Sequence, residues 1–162
     1  MYALRMEKYL IILIDSLHKK MGILDSISKV CDDQDKCLDT APPDIDAYNE
    51  LMRRKKEYLD QLTLIDDGFV ALYERIAPDL RDNVMLYAPK LRELKGLVEE
   101  VAAKTTLIQA HEMRIQARID RLVEMGVKKT SVKPGRSDVA KRYSKTMTKA
   151  DHTPAIFINR KK

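Results

Sequence analysis

Tryptophan is missing from this chain of 162 residues and phenylalanine occurs only twice, so aromatic residues make up 6% of the whole. With 34% charged residues and abundant Leu, Ile, Lys, Glu and Arg, that shortage favours helices over sheets. Cysteine is almost as scarce. Cys31 and Cys37 stand six positions apart on one predicted helix, which is neither the CxxC redox spacing nor a metal-ligand pair, and a reduced, cytoplasmic setting is expected. There is no long hydrophobic run: the longest, Tyr9 to Ile14, covers about a third of the roughly 20 residues that span a bilayer, and Asp15 ends it. No small-residue cleavage site follows, so neither a signal peptide nor membrane insertion is expected.

Catalytic constellations are missing as well. No glycine-rich phosphate loop occurs, which removes the usual signature of nucleotide hydrolysis. His111-Glu112 begins like the HExxH zinc motif, but Ile115 stands where the second histidine ligand belongs. His18, His111 and His152 are far apart in sequence, with no nucleophile and acid arranged around them. The acid pairs Asp32-Asp33, Asp66-Asp67 and Glu99-Glu100 are adjacent, so on a helix they diverge by about 100° and cannot converge on one substrate. The expectation is a non-enzymatic protein with no metal, no cofactor and no small-molecule substrate.

What the sequence does contain is period. Leu10, Ile14, Leu17, Met21, Leu24, Ile27 and Cys31 recur at steps of three and four, predicting a helix over about 4–38. Pro42 and Pro43 break it. Asp44 or Asp46 can then cap a second helix over about 45–76, whose seam is Tyr48, Met52, Leu59, Leu62, Ile65, Phe69, Tyr73 and Ile76, with Pro78 as its stop. Lys55 takes a core position in that seam, where it can fix register or snorkel to water. Residues 78–89 are expected to make a helical turn or two. A third helix over about 90–125 carries Leu91, Leu94, Val98, Val101, Thr105, Ile108, Ile115, Ile119 and Leu122 and closes at Gly126. Glu112 interrupts this seam, so imperfect burial is expected in its C-terminal half. Three rods of matched length joined by short turns predict an all-α fold, an antiparallel three-helix coiled-coil bundle.

Charge divides at Gly126. Residues 127–162 hold eleven Lys and Arg against two Asp, a net +9, and residues 1–126 carry 19 basic and 23 acidic residues, a net −4. The period also ends there, so a bundle over 1–126 followed by a basic, largely disordered tail over 127–162 is expected. Within the tail, Ser137 can cap a short helix over 138–148 with Val139, Tyr143 and Met147 on one face. Ala155–Asn159 forms a second apolar island. Tyrosines 48, 58, 73 and 87 read as core or rim residues, whereas Tyr143 has no seam to fill and suits an interface anchor.

In its order of parts the chain resembles the FlgN-type flagellar export chaperones, a family of small cytoplasmic helical proteins. The most specific block is DIDAYNELMRRKKEYLDQLTLIDDGFVALYERI at 44–76, with its basic cluster Arg53-Arg54-Lys55-Lys56 before Glu57 and the spacing from Leu62 to Phe69; AKRYSKTM and the closing IFINRKK extend the likeness. The resemblance implies a type III flagellar export chaperone that binds hook-associated subunits, the proteins of the hook-filament junction. Such a chaperone keeps them from assembling early and passes them to the flagellar export gate. An apolar helical groove is the physical requirement for that task. The expected partner-binding residues are Ile108, Ile115, Ile119 and Leu122, extended by Val139 and Met147, with Tyr143 carrying export-gate docking. The family pattern is broken in one place, since no glycine follows soon after Tyr143. Two alternatives are a nucleic-acid-binding protein that uses the +9 tail and a structural coiled-coil subunit whose seams pair between chains.

Overall fold

The computed structural model of the chain describes residues 2–126. They form three helices, α1 (Tyr2–Asp39), α2 (Ile45–Asp82) and α3 (Ala88–Glu124), in an all-α three-helix bundle. Helix α1 is the spine, with α2 and α3 each packed along it. Contacts fix the directions: Lys20 meets Asp66 and Gln34 meets Lys55, so α1 and α2 are antiparallel. Asp25 meets Lys104 and Asp35 meets Arg118, so α3 returns parallel to α1. The C-terminal end of α3 therefore lies at the α1–α2 turn.

One apolar cluster fills the bundle from Met6, Leu10 and Leu13 of α1 to Ile115 and Ile119 of α3. Leu10, Leu13, Leu24, Ile27 and Leu62 are fully enclosed, each contributing about 1.5–3 kcal/mol relative to exposure. Asp44 caps α2 by accepting the Ala47 amide at 3.1 Å, as its place after Pro42 and Pro43 predicts.

Three expectations need correction. Pro78 does not end α2; the helix runs on to Asp82 with Pro78 inside it and exposed. A proline within a helix costs about 3 kcal/mol, which burial of Ala77 and Leu80 against the core offsets. Two seam positions also shift by one residue: Lys20 and Asp66 are buried, whereas Met21 and Ile65 are half-buried. The displaced residues pair with each other, Lys20 Nζ donating to Asp66 Oδ1 at 2.6 Å. Finally, the C-terminal half of α3 is well buried, because Glu112 finds its partner in Lys55. Lys55 is 0% exposed and does not snorkel.

Candidate partner-binding site

Ile108, Ile115 and Ile119 belong to the core cluster, and Leu122 is half-buried against it. In the closed bundle these side chains are already packed into or against the core, so the seam expected to form an open groove is occupied by the protein itself. Val139, Tyr143 and Met147, and the short helix expected over 138–148, lie outside the described residues.

The same half of α3 carries a second stripe on its opposite side. Ala103, Leu107, Ala110, Arg114, Ala117 and Arg121 follow one another at steps of four and three and are all exposed. That spacing places them on one outward face. Met113 stands beside the stripe. Leu107 and Met113 are 71% and 73% exposed, large apolar side chains left in water. Between Glu100 and Asp120 the only carboxylate of α3 is Glu112, and it is turned inward to Lys55. The face is therefore apolar and small, with a basic end: alanines let another helix approach closely, and Leu107 and Met113 project as knobs.

A buried polar layer fixes which side of α3 faces out. Lys55 of α2 donates to Glu112 of α3 and to Gln34 of α1, and the Cys31 thiol donates to Glu112 Oε1 at 3.0 Å. All three helices contribute, and any rotation of α3 would leave the Lys55 ammonium buried without its counter-charge. Burial holds the Cys31 thiol far above its ordinary range; Glu112 adds to the shift, and Lys55 offsets part of it. Beside this layer, His111 Nε2 lies 2.5 Å from Asp35 Oδ2, and Arg118 donates to Asp35 Oδ1 at 3.1 Å and to Asp39 Oδ1 at 2.6 Å. These carboxylates hold the Arg118 guanidinium above its usual pKa.

A shallow cavity of about 440 Å³ opens at this end, lined by Asp35, Asp39, Arg114, Ala117, Arg118 and Arg121. Arg118 is engaged there by the two aspartates, while Arg114 and Arg121 make no ion pair among the described residues. Their guanidiniums can receive a carboxylate from a segment lying on the α3 face.

Among the described residues, no group of three or more His, Cys, Asp or Glu side chains is arranged to hold a metal ion, and no helix is long and apolar enough to cross a membrane. Comparison of the chain with protein-family models, with curated proteins and with solved structures gives no match.

Proposed function

We propose that this protein is a binding protein that receives an amphipathic helix of a client on the outward face of α3, as an export chaperone of the FlgN type would. The observation that carries this reading is the stripe from Ala103 to Arg121, exposed and largely apolar, with Arg114 and Arg121 in its C-terminal part making no ion pair among the described residues. A client segment that fits would lay a Leu- or Ile-rich stripe against Leu107, Ala110 and Met113 and bring an acidic residue to Arg114 or Arg121. The likeness of the 44–76 block to these chaperones suggests hook-associated subunits of the flagellum as clients, with the tail around Tyr143 for the export gate. Cytoplasmic residence accords with that task.

Co-expression with a hook-associated subunit should yield a soluble complex. Deleting residues from 108 onward is a poor test, because it removes Ile115 and Ile119 from the core. The double substitution Leu107→Asp/Met113→Asp alters only exposed positions. It should leave the helical content unchanged and weaken the complex by roughly a hundredfold, about 3 kcal/mol. An undiminished complex would remove the α3 face from consideration.

A further inference from the structure

The exposed face of α3 has a property that receiving a client helix does not require: its residues mirror one another in position about Ala110. Glu99 stands eleven positions before Ala110 and Arg121 eleven after it, while Ala103 stands seven before and Ala117 seven after. Seven residues are nearly two turns and eleven nearly three, so all five lie within about 20° of one line along the helix. All five are exposed. Leu107 and Met113, 71% and 73% exposed, stand three residues to either side of Ala110 and therefore on opposite flanks of that line, about 60° from it.

Charge is not mirrored but reversed. The acid is at one end of the line and the base at the other. Glu99, its neighbour Glu100 and Arg121 make no ion pair among the described residues, and Asp120 is turned about 100° away from Arg121. Such a face is complementary to itself when it is turned end over end. A two-fold axis through Ala110 sets Ala110 on Ala110, Ala103 on Ala117, and Glu99 on Arg121 at both ends. Parallel pairing would set Glu99 on Glu99 and Arg121 on Arg121, which like charge opposes.

We propose that in the absence of a client this face is covered by a second copy of the chain, with the two α3 helices packed antiparallel about Ala110. The alanines allow the helices to approach to the short end of the usual spacing of about 8–10 Å. The two Leu107 side chains close the contact on one flank and the two Met113 side chains on the other. Glu99 and Glu100 of each copy receive Arg121 of the other. None of these side chains belongs to the core, so neither bundle has to open. From Glu99 to Arg121 the contact runs about 33 Å and is one helix wide, at the small end of specific interfaces, so the pairing is reversible and an incoming helix displaces the second copy. Guarding the site until a client arrives is the part this dimer plays, and that part rests on the client reading. The pairing itself follows from the chain alone and is tested with no client present.

Cysteines on the exposed alanines test the geometry in the full chain. In a Cys37→Ser background, Ala103→Cys, Ala110→Cys and Ala117→Cys are oxidised mildly at concentrations from about 5 to about 200 µM, with circular dichroism verifying that each is as helical as the parent. Ala110 meets its own copy, so Ala110→Cys should give a covalent dimer whose yield rises with concentration. Ala103→Cys alone should give about a tenth of that yield or less, because antiparallel packing sets the two residues about 21 Å apart, beyond disulfide reach. An equimolar mixture of Ala103→Cys and Ala117→Cys should crosslink. Equal yields from Ala103→Cys and Ala110→Cys would overturn the proposal, as would an Ala110→Cys chain that stays monomeric at the highest concentration. Sedimentation velocity adds a readout without new cysteines. Glu99→Arg should weaken the dimer roughly tenfold, and Glu99→Arg/Arg121→Glu should restore it to within about threefold of the parent, since opposite charges again face each other. A double variant as weak as the single one would also overturn the proposal. A chain that is monomeric throughout removes the dimer and leaves co-expression with a client to stand on its own result, whereas the expected crosslinks beside a failed co-expression remove only the client.

Discussion

Lys55 and Glu112 each stand where a seam calls for an apolar residue, and each reads in isolation as a weak point. In the bundle they are each other's partner, joined by Gln34 and Cys31. Removing one member should be far more harmful than removing both. Glu112→Ala leaves an enclosed ammonium unpaired and should cost about 3–5 kcal/mol in urea unfolding. Lys55→Met/Glu112→Leu should unfold within about 1 kcal/mol of the parent or above it. A mild single variant together with a severe double one would contradict this account of the layer. The cysteines make a second contrast at this scale. Burial raises both thiols above their ordinary pKa, but Cys31 is fully enclosed and Cys37 only half-buried. Alkylation followed by mass spectrometry at mildly alkaline pH should modify Cys37 slowly and Cys31 only after unfolding; equal labelling of the two would contradict the burial of Cys31. The pairing of Lys55 with Glu112 was hidden in the sequence, because a seam marks misfits without saying which of them meet across helices.

At the scale of the helix, periodicity was enough to locate three rods and the Asp44 cap. It failed where a local rule met a larger energy. Pro78 lacks an amide and disfavours helical geometry at Ala77, yet α2 continues because Ala77 and Leu80 both reach the core. Pro78→Ala should then raise stability by about 1–3 kcal/mol, read as a higher urea midpoint at unchanged slope. A lower midpoint would mean that the proline fits its place better than helix geometry implies. The exchanges that put Lys20 and Asp66 inside are local, since Leu17 and Leu24 on one side and Leu62 and Phe69 on the other keep their expected places. Pairing of the two charges makes their burial tolerable.

Across the whole molecule, the apolar seam that the sequence offered as a binding surface, Ile108, Ile115 and Ile119, lies inside the bundle, and the proposed client face is the exposed stripe on the other side of the same half of α3. Ile108, Ile115 and Ile119 are the residues that periodicity finds first, and for that reason they are core. The outward stripe was legible in principle as Ala103, Leu107, Ala110, Arg114 and Ala117 at the same spacing, but small residues carry little weight in a hydrophobic pattern. Only the bundle shows which of two stripes is enclosed. The resulting molecule has a rigid interior pinned by a buried charge layer and an apolar face on α3 with a basic end. The most direct measurement of the central claim uses methyl-labelled protein titrated with the terminal helical segment of a hook-associated subunit. Leu107 and Met113 resonances should shift with saturating binding, while those of Leu64 and Met85, equally exposed elsewhere, stay in place. Saturating shifts at Leu64 or Met85 with Leu107 and Met113 unmoved would contradict the account.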